Sequence, residues 1–175
     1  PMDPAMENIM AMSGKPFKAF PGQDHQAHMD AHLTFMGTFM ARNNPQALAL
    51  LSKNCMEHIA LMSQEQVQLE FAEEIAQIQQ LTANMQQMGG MNPQNPQVMQ
   101  VQQQIKQETD RIEARKAQLV AQLTTDYLEE EKKVLNQLDN DPLLKLKADE
   151  VQLRAQDQQR KEKESEEKAT MDTLK

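Results

Sequence analysis

Two stretches of more than forty residues without glycine or proline constrain this chain more than any other feature. The first follows Pro45 and lasts to Met88, and the second follows Pro96. An asparagine precedes each proline, and an N-cap followed by proline at the first helical position is a typical helix start. The sequence therefore predicts a long helix from Pro45, which would span roughly 65 Å at about 1.5 Å per residue if it were continuous to Met88, and a second to about Leu138.

The segment GGMNPQNPQ separates these two helices and predicts a tight turn at 89–95. Two long helices joined by a short turn favour an antiparallel hairpin over residues 45–138. Apolar residues on the second helix follow spacings of three, four and seven, as in a coiled-coil seam that Glu108 and Arg115 interrupt. These seam residues are Val98, Val101, Ile105, Ile112, Leu119 and Leu123, of which Ile105, Ile112 and Leu119 are predicted interface residues.

Shorter elements flank the hairpin. Residues 1–44 contain short helices and a proline-rich connector, KPFKAFPG, in which Phe17 and Phe20 are predicted to be buried. Methionines and an isoleucine at helical spacing predict an amphipathic helix before Gly14. Asp24 is a plausible N-cap for a helix through about Arg42. Residues 139–175 form a third, charged segment, which is either a solvated helix or a disordered tail after about Leu153.

Composition narrows the class of protein. The chain has 14 methionines and only 3% aromatic residues, which suits helices that touch along narrow seams and bury apolar surface between copies. A net charge of −8 argues against wrapping nucleic acid. The single cysteine excludes an internal disulfide, and no apolar run approaches the roughly 20 residues that span a bilayer. Because the chain begins with Pro1, we expect a piece of a longer protein. The predicted fold class is all-α, with long antiparallel helices.

Three of the four histidines share one side of a predicted helix, because His25, His28 and His32 are spaced at i, i+3 and i+7. Zinc accepts such ligands, so the three are weak candidates for a metal site, and Asp24 could add a carboxylate. A zinc protease motif is excluded because Met29 stands where glutamate is required. We favour contacts between helices or subunits at a partly wet interface, and we predict no metal and no cofactor. His58, three residues after Cys55, could complete a site only by folding back.

Catalytic signatures are absent from the sequence. No phosphate-binding glycine loop, dinucleotide turn or nucleophile elbow occurs. The run from Glu129 to Lys133 is typical of a solvated helix face, and the basic patch RIEARK lacks the interleaved aromatics of a nucleic-acid site. We therefore predict that the protein is not an enzyme.

The stretches PGQDHQAHMDAHLTFM and ARNNPQALALLSKNCMEHIALMSQEQV resemble a segment of bacteriophage portal proteins of the podovirus-like, marine and cyanobacterial type. The resemblance covers under a third of the chain, from Phe17 to Val67. Its matching positions are Asp24, His25, His28, His32, Asn44, Pro45, Glu57 and His58.

The resemblance implies that the chain is the C-terminal, helical crown and barrel region of a portal subunit, a structural component of the virion. Such subunits form a dodecameric ring at one capsid vertex, the head–tail connector through which double-stranded DNA is packaged and later ejected. The implied partners are further copies of the chain, the major capsid protein, a head–tail adaptor, the terminase motor and the passing DNA, with no membrane. The alternative is a coiled-coil scaffolding or chaperone-like assembly protein.

Overall fold

The structure, a computed structural model, describes residues 1–87, 93–139 and 142–172. Within these ranges the chain is helical and contains no strand, so the prediction of an all-α protein is confirmed. In chain order the helices are α1 (Pro4–Met12), α2 (His25–Met36), α3 (Phe39–Arg42), α4 (Pro45–Glu70), α5 (Ala72–Gln87), α6 (Pro96–Asp139) and α7 (Pro142–Asp172). Among the described residues, no helix combines the length and apolarity that crossing a membrane requires.

Local capping signals determine where the helices start. Asp24 accepts a hydrogen bond from the Ala27 N–H at 3.0 Å, and Asn44 accepts one from the Ala47 N–H at 3.0 Å. Pro45 occupies the first helical position of α4, as predicted. An aspartate or asparagine at the N-cap satisfies a backbone donor that has no partner inside the helix, so short-range chemistry is enough to fix these starts.

The predicted helix from Asp24 to Arg42 is in fact two helices. α2 ends at Met36 with Gly37 as its C-cap, and Thr38 begins α3 by accepting a hydrogen bond from the Ala41 N–H. Glycine lowers helix propensity and a threonine at the N-cap favours a new start, which accounts for the interruption.

The long helix that begins at Pro45 is also interrupted, because Phe71 separates α4 from α5. Phe71 has φ −114° and ψ 26°, while its N–H still bonds to Val67 at 3.0 Å. No glycine or proline marks this position. The Phe71 ring lies 5.3 Å beneath the guanidinium of Arg111, a tertiary contact that the local pattern does not encode.

The second long helix agrees with the prediction, since α6 runs from Pro96 to Asp139. Leu119 is buried, and the other residues of its seam are half-buried, including Ile105 and Ile112. Residues 88–92, which contain most of the predicted turn at 89–95, lie outside the described residues.

The chain divides into two compact units, Pro1–Lys132 and Lys133–Lys175. In the second unit, α7 is a helix whose described side chains are exposed, so the charged segment takes the first of its two predicted states. Arg154 pairs with Glu150 at 2.6 Å, one helical turn away. Such pairs support an exposed helix by a few tenths of a kcal/mol each.

The core of the first unit consists of two small clusters. Ala11, Met36, Ala47 and Leu51 form one, and Met29, Cys55, Ile59 and Tyr127 form the other. The second cluster joins α2, α4 and α6, because Val120 and Leu123 of α6 also pack against it. These contacts hold α2 beside α4, which positions the histidines.

Two predictions of burial near the N-terminus need correction. Phe17 packs against the core, but Phe20 is 44% exposed, because its N–H bonds to the Gln23 side chain in a turn that leaves the ring outside. In α1, Met6 and Ile9 are exposed, and the buried face is the one that carries Glu7, Asn8 and Ala11. The apolar spacing of α1 therefore indicated the helix correctly and its buried face wrongly.

Candidate metal centre

The candidate site lies where α1, α2 and α4 meet. The three histidines of α2 face His58 of α4, and Glu7 of α1 reaches the same point. All five side chains are nearly or completely buried: the exposed fraction is 0% for Glu7, His32 and His58, 4% for His25 and 8% for His28. The predicted partly wet interface is therefore corrected to a closed cluster, which we call the histidine cluster, within one chain.

Glu7 occupies the centre of the histidine cluster. Its Oε2 atom lies 3.1 Å from His28 Nδ1 and 3.1 Å from His32 Nε2. The second carboxylate oxygen, Oε1, is buried and has no hydrogen-bond partner. A buried carboxylate is normally fully hydrogen-bonded, so this free oxygen needs an explanation.

His58 completes the histidine cluster from the opposite helix. Its ring centroid lies 4.8 Å from that of His28 and 6.2 Å from that of His32. The His58 Nδ1 atom is 2.8 Å from His25 Nδ1, while His58 Nε2 is buried without a partner. Each of Glu7, His28, His32 and His58 offers a ligand atom, and these four atoms lie within 4.8 Å of one another.

Polar neighbours orient the outer sides of the rings. His32 Nδ1 lies 2.7 Å from the side-chain oxygen of Asn8. His25 Nε2 lies 3.2 Å from a carboxylate oxygen of Glu65, whose other oxygen accepts the Gly22 N–H at 2.7 Å. Partners of this kind hold metal-binding histidines in one tautomer and one orientation.

Burial determines the charge state of the histidine cluster. Loss of solvent, together with the neighbouring His28, lowers the pKa of His32 to about 4. The pKa of His58 is lowered to about 4 for the same reasons. Burial raises the pKa of Glu7, and the hydrogen bond to His28 opposes that rise. At neutral pH, His32 and His58 are therefore neutral rings that each carry one nitrogen lone pair.

The histidine cluster includes every histidine that the sequence singled out. It also includes Glu7, which sequence reasoning missed, and His58, which was expected to join only by folding back. The i, i+3 and i+7 spacing was the signal for α2, whereas no sequence pattern connects Glu7 with residues more than twenty positions later. Leu119, Ile105 and Ile112 lie on α6 and take no part in the histidine cluster.

Cys55 is a further buried side chain nearby that could bind a soft metal. It packs with Met29, Ile59 and Tyr127 instead of joining the ligand set. The candidate centre thus offers nitrogen and oxygen ligands only.

Comparison of the chain with protein families, with curated proteins and with solved structures finds no significant match.

Proposed function

We propose that this chain is the helical crown and barrel region of a phage portal subunit, which acts structurally and without catalysis in the virion. Twelve such subunits would form the head–tail connector at one capsid vertex, where DNA enters during packaging and leaves during ejection. Its partners would be neighbouring copies, the capsid protein, a head–tail adaptor, the terminase motor and the DNA in the channel.

The observation that carries the proposal is the likeness of residues 17–67 to portal sequences, taken with what those residues do. Asp24 and Asn44 cap α2 and α4, Pro45 begins α4, and the four histidines pack together. Glu57 accepts a hydrogen bond from the Ala19 N–H at 3.0 Å and so holds the connector against α4. Each of these positions has a structural role in one packed region, as the proposal of a shared helical arrangement requires.

The order of contacts along α6 supports a long helical hairpin as part of the proposal. Glu131 of α6 accepts a hydrogen bond from Ser52 at 3.1 Å, and Arg115 binds Glu70 at 2.9 Å. Arg111 lies 3.9 Å from Glu74. Across these three pairs the residue number increases along α4 and α5 while it decreases along α6, which is the order expected of antiparallel neighbours.

Exposed apolar side chains in the first unit support assembly with further chains. Leu69 is 82% exposed, and Met40, Ile9 and Phe39 each expose more than half of their surface. Scattered apolar residues are common on surfaces, but large ones on several helices fit contacts with neighbours. In a ring, each subunit uses two different faces against its two neighbours, so such residues are expected on more than one side.

The mass of the assembly formed by the purified protein tests the proposal. Native mass spectrometry is expected to give a closed ring of about a dozen copies. Heterologous contacts between subunits form such a ring where the rotation from one subunit to the next closes. A dimer or tetramer would instead favour the coiled-coil scaffolding or chaperone-like alternative and overturn the portal proposal.

A matched pair of variants sharpens that test. Ile9→Glu places a charge on the exposed apolar face of α1, whereas Gln102→Glu adds the same charge on an exposed position of α6 outside the seam. We expect the first variant to release subunits from the ring while its circular dichroism stays helical, and the second to leave the ring intact. If both variants assembled equally well, the exposed apolar face of α1 would not be a contact between subunits.

A further inference from the structure

The tautomer of His32 points to a proton or a cation between His32 and Glu7 in the histidine cluster. The Asn8 side-chain oxygen can only accept a hydrogen bond, so His32 Nδ1 at 2.7 Å carries the proton. The neutral ring then presents the lone pair of Nε2 to the Glu7 carboxylate oxygen at 3.1 Å. Two electron-rich atoms at this distance repel each other unless a proton or a cation lies between them.

The second histidine pair leads to the same arrangement. Glu65 lies 3.2 Å from His25 Nε2 in an ion-pair contact that does not have hydrogen-bond geometry, and the Gly22 N–H lowers the pKa of Glu65. The nearby carboxylate favours the proton on that nitrogen. His25 Nδ1 is then an acceptor, and His58 Nδ1 donates to it at 2.8 Å. This leaves His58 Nε2, which is buried without a partner, as a second lone pair.

The spacing of the atoms suits a small metal ion. Zinc binds nitrogen and oxygen at about 2.0–2.1 Å, so two ligands of a tetrahedral ion lie about 3.3 Å apart. Glu7 Oε2 is 3.1 Å from both His28 Nδ1 and His32 Nε2, close to that separation. The four ligand atoms lie within 4.8 Å of one another, so short movements of the side chains would complete the coordination.

The ligand types select the class of ion. Imidazole nitrogens with one carboxylate suit zinc and similar divalent transition metals, whereas magnesium and calcium prefer oxygen ligands throughout. Four ligands from the protein leave no open position, which is typical of structural and not of catalytic zinc.

We propose that Glu7, His28, His32 and His58 bind one divalent transition-metal ion of the zinc type, which ties α1 and α2 to α4. Glu7 binds as a carboxylate, and any proton that it holds without metal leaves to solvent on binding. His28 binds through Nδ1, so the neutral His28 ring carries its one proton on Nε2 in the metal-bound state. His25 and Asn8 are positioning residues that hold His58 and His32 in the correct tautomer. The site is independent of the portal proposal, because metal content is counted per chain whatever the assembly.

Cobalt(II) titration of the purified, chelator-treated protein tests the proposal, because tetrahedral cobalt has intense visible bands that octahedral cobalt lacks. We expect one equivalent of cobalt per chain, with tetrahedral bands, and its displacement by one equivalent of zinc. X-ray absorption of the zinc-loaded wild-type protein is expected to give nitrogen and oxygen neighbours at about 2.0–2.1 Å and no sulfur. That measurement needs no variant.

Variants identify the ligands. Glu7→Gln and His58→Gln should abolish tight binding, and His25→Gln should weaken it by about 10- to 100-fold as a positioning change. Cys55→Ser is the matched buried control and should keep full affinity and the same cobalt spectrum. Circular dichroism reports whether each variant is folded.

Three outcomes would overturn the proposal. They are no tight cobalt or zinc binding by the folded wild-type protein, an octahedral cobalt spectrum, and sulfur neighbours in the absorption data. Unchanged metal affinity in folded Glu7→Gln would also overturn the ligand assignment. Where a variant does not fold, the absorption spectrum of the wild-type protein decides.

Discussion

The reactivity of Cys55 reports whether α6 covers α4 as the structure has it. Cys55 is 0% exposed and packs with Tyr127 of α6, and burial raises the pKa of its thiol from 9.0 to about 12. Only the thiolate attacks disulfide reagents. At pH 8 the thiolate fraction of the folded protein is therefore roughly 1000-fold lower than that of an unfolded chain.

A disulfide reagent such as Ellman's reagent measures this difference directly. We expect native Cys55 to react at least about 1000-fold more slowly than Cys55 in guanidinium chloride, the factor set by the thiolate fraction alone. Tyr127→Ala removes a residue that is 5% exposed and should lower the free energy of unfolding by about 3–5 kcal/mol. Cys55 is then exposed more often by unfolding, so its labelling rate under native conditions should rise by at least roughly 100-fold.

The matched control is Gln102→Cys in a Cys55→Ser background, because position 102 is exposed on α6, the helix that carries Tyr127. That thiol should react as quickly in the native as in the unfolded protein. If native Cys55 reacted at the rate of this control, the packing of α6 over α4 in the second cluster would be refuted.

Three further perturbations have expected outcomes. Leu51→Ala, at a fully buried position of the first cluster, should lower the free energy of unfolding by about 2–5 kcal/mol in urea, and a loss below about 1 kcal/mol would contradict that burial. In chelator-treated protein the pKa values of His32 and His58 are about 4, against 6.5 in the unfolded chain. Because the unfolded chain binds protons first, the free energy of unfolding that these two rings contribute is complete above pH 6.5 and falls as the pH drops toward 4. A free energy of unfolding that stayed constant between pH 5 and 8 would contradict this. Trypsin should cut α7 at the exposed Arg154, Arg160 and Lys161 faster in the free subunit than in an assembly, and equal rates would show that neighbours do not protect it.

Much of the helical layout could be predicted from the sequence. The starts of α4 and α6 follow from asparagine–proline pairs, and the all-α class follows from long stretches without glycine or proline. The break at Phe71 could not be predicted, because it coincides with a contact to Arg111 on another helix. Phe20 shows the same limit, since composition alone suggested burial and the turn geometry left the ring exposed.

The candidate site also has one part that the sequence predicted and one part that it did not. The sequence by itself determined that His25, His28 and His32 share one side of a helix, because the helical repeat acts over a few residues. Only the tertiary structure decided that Glu7 and His58 meet them. Caps and periodicity act within a turn or two, whereas the packing of α1 and α4 around α2 depends on side chains far apart in the chain. That packing brings the three spaced histidines into one buried cluster with Glu7 and His58.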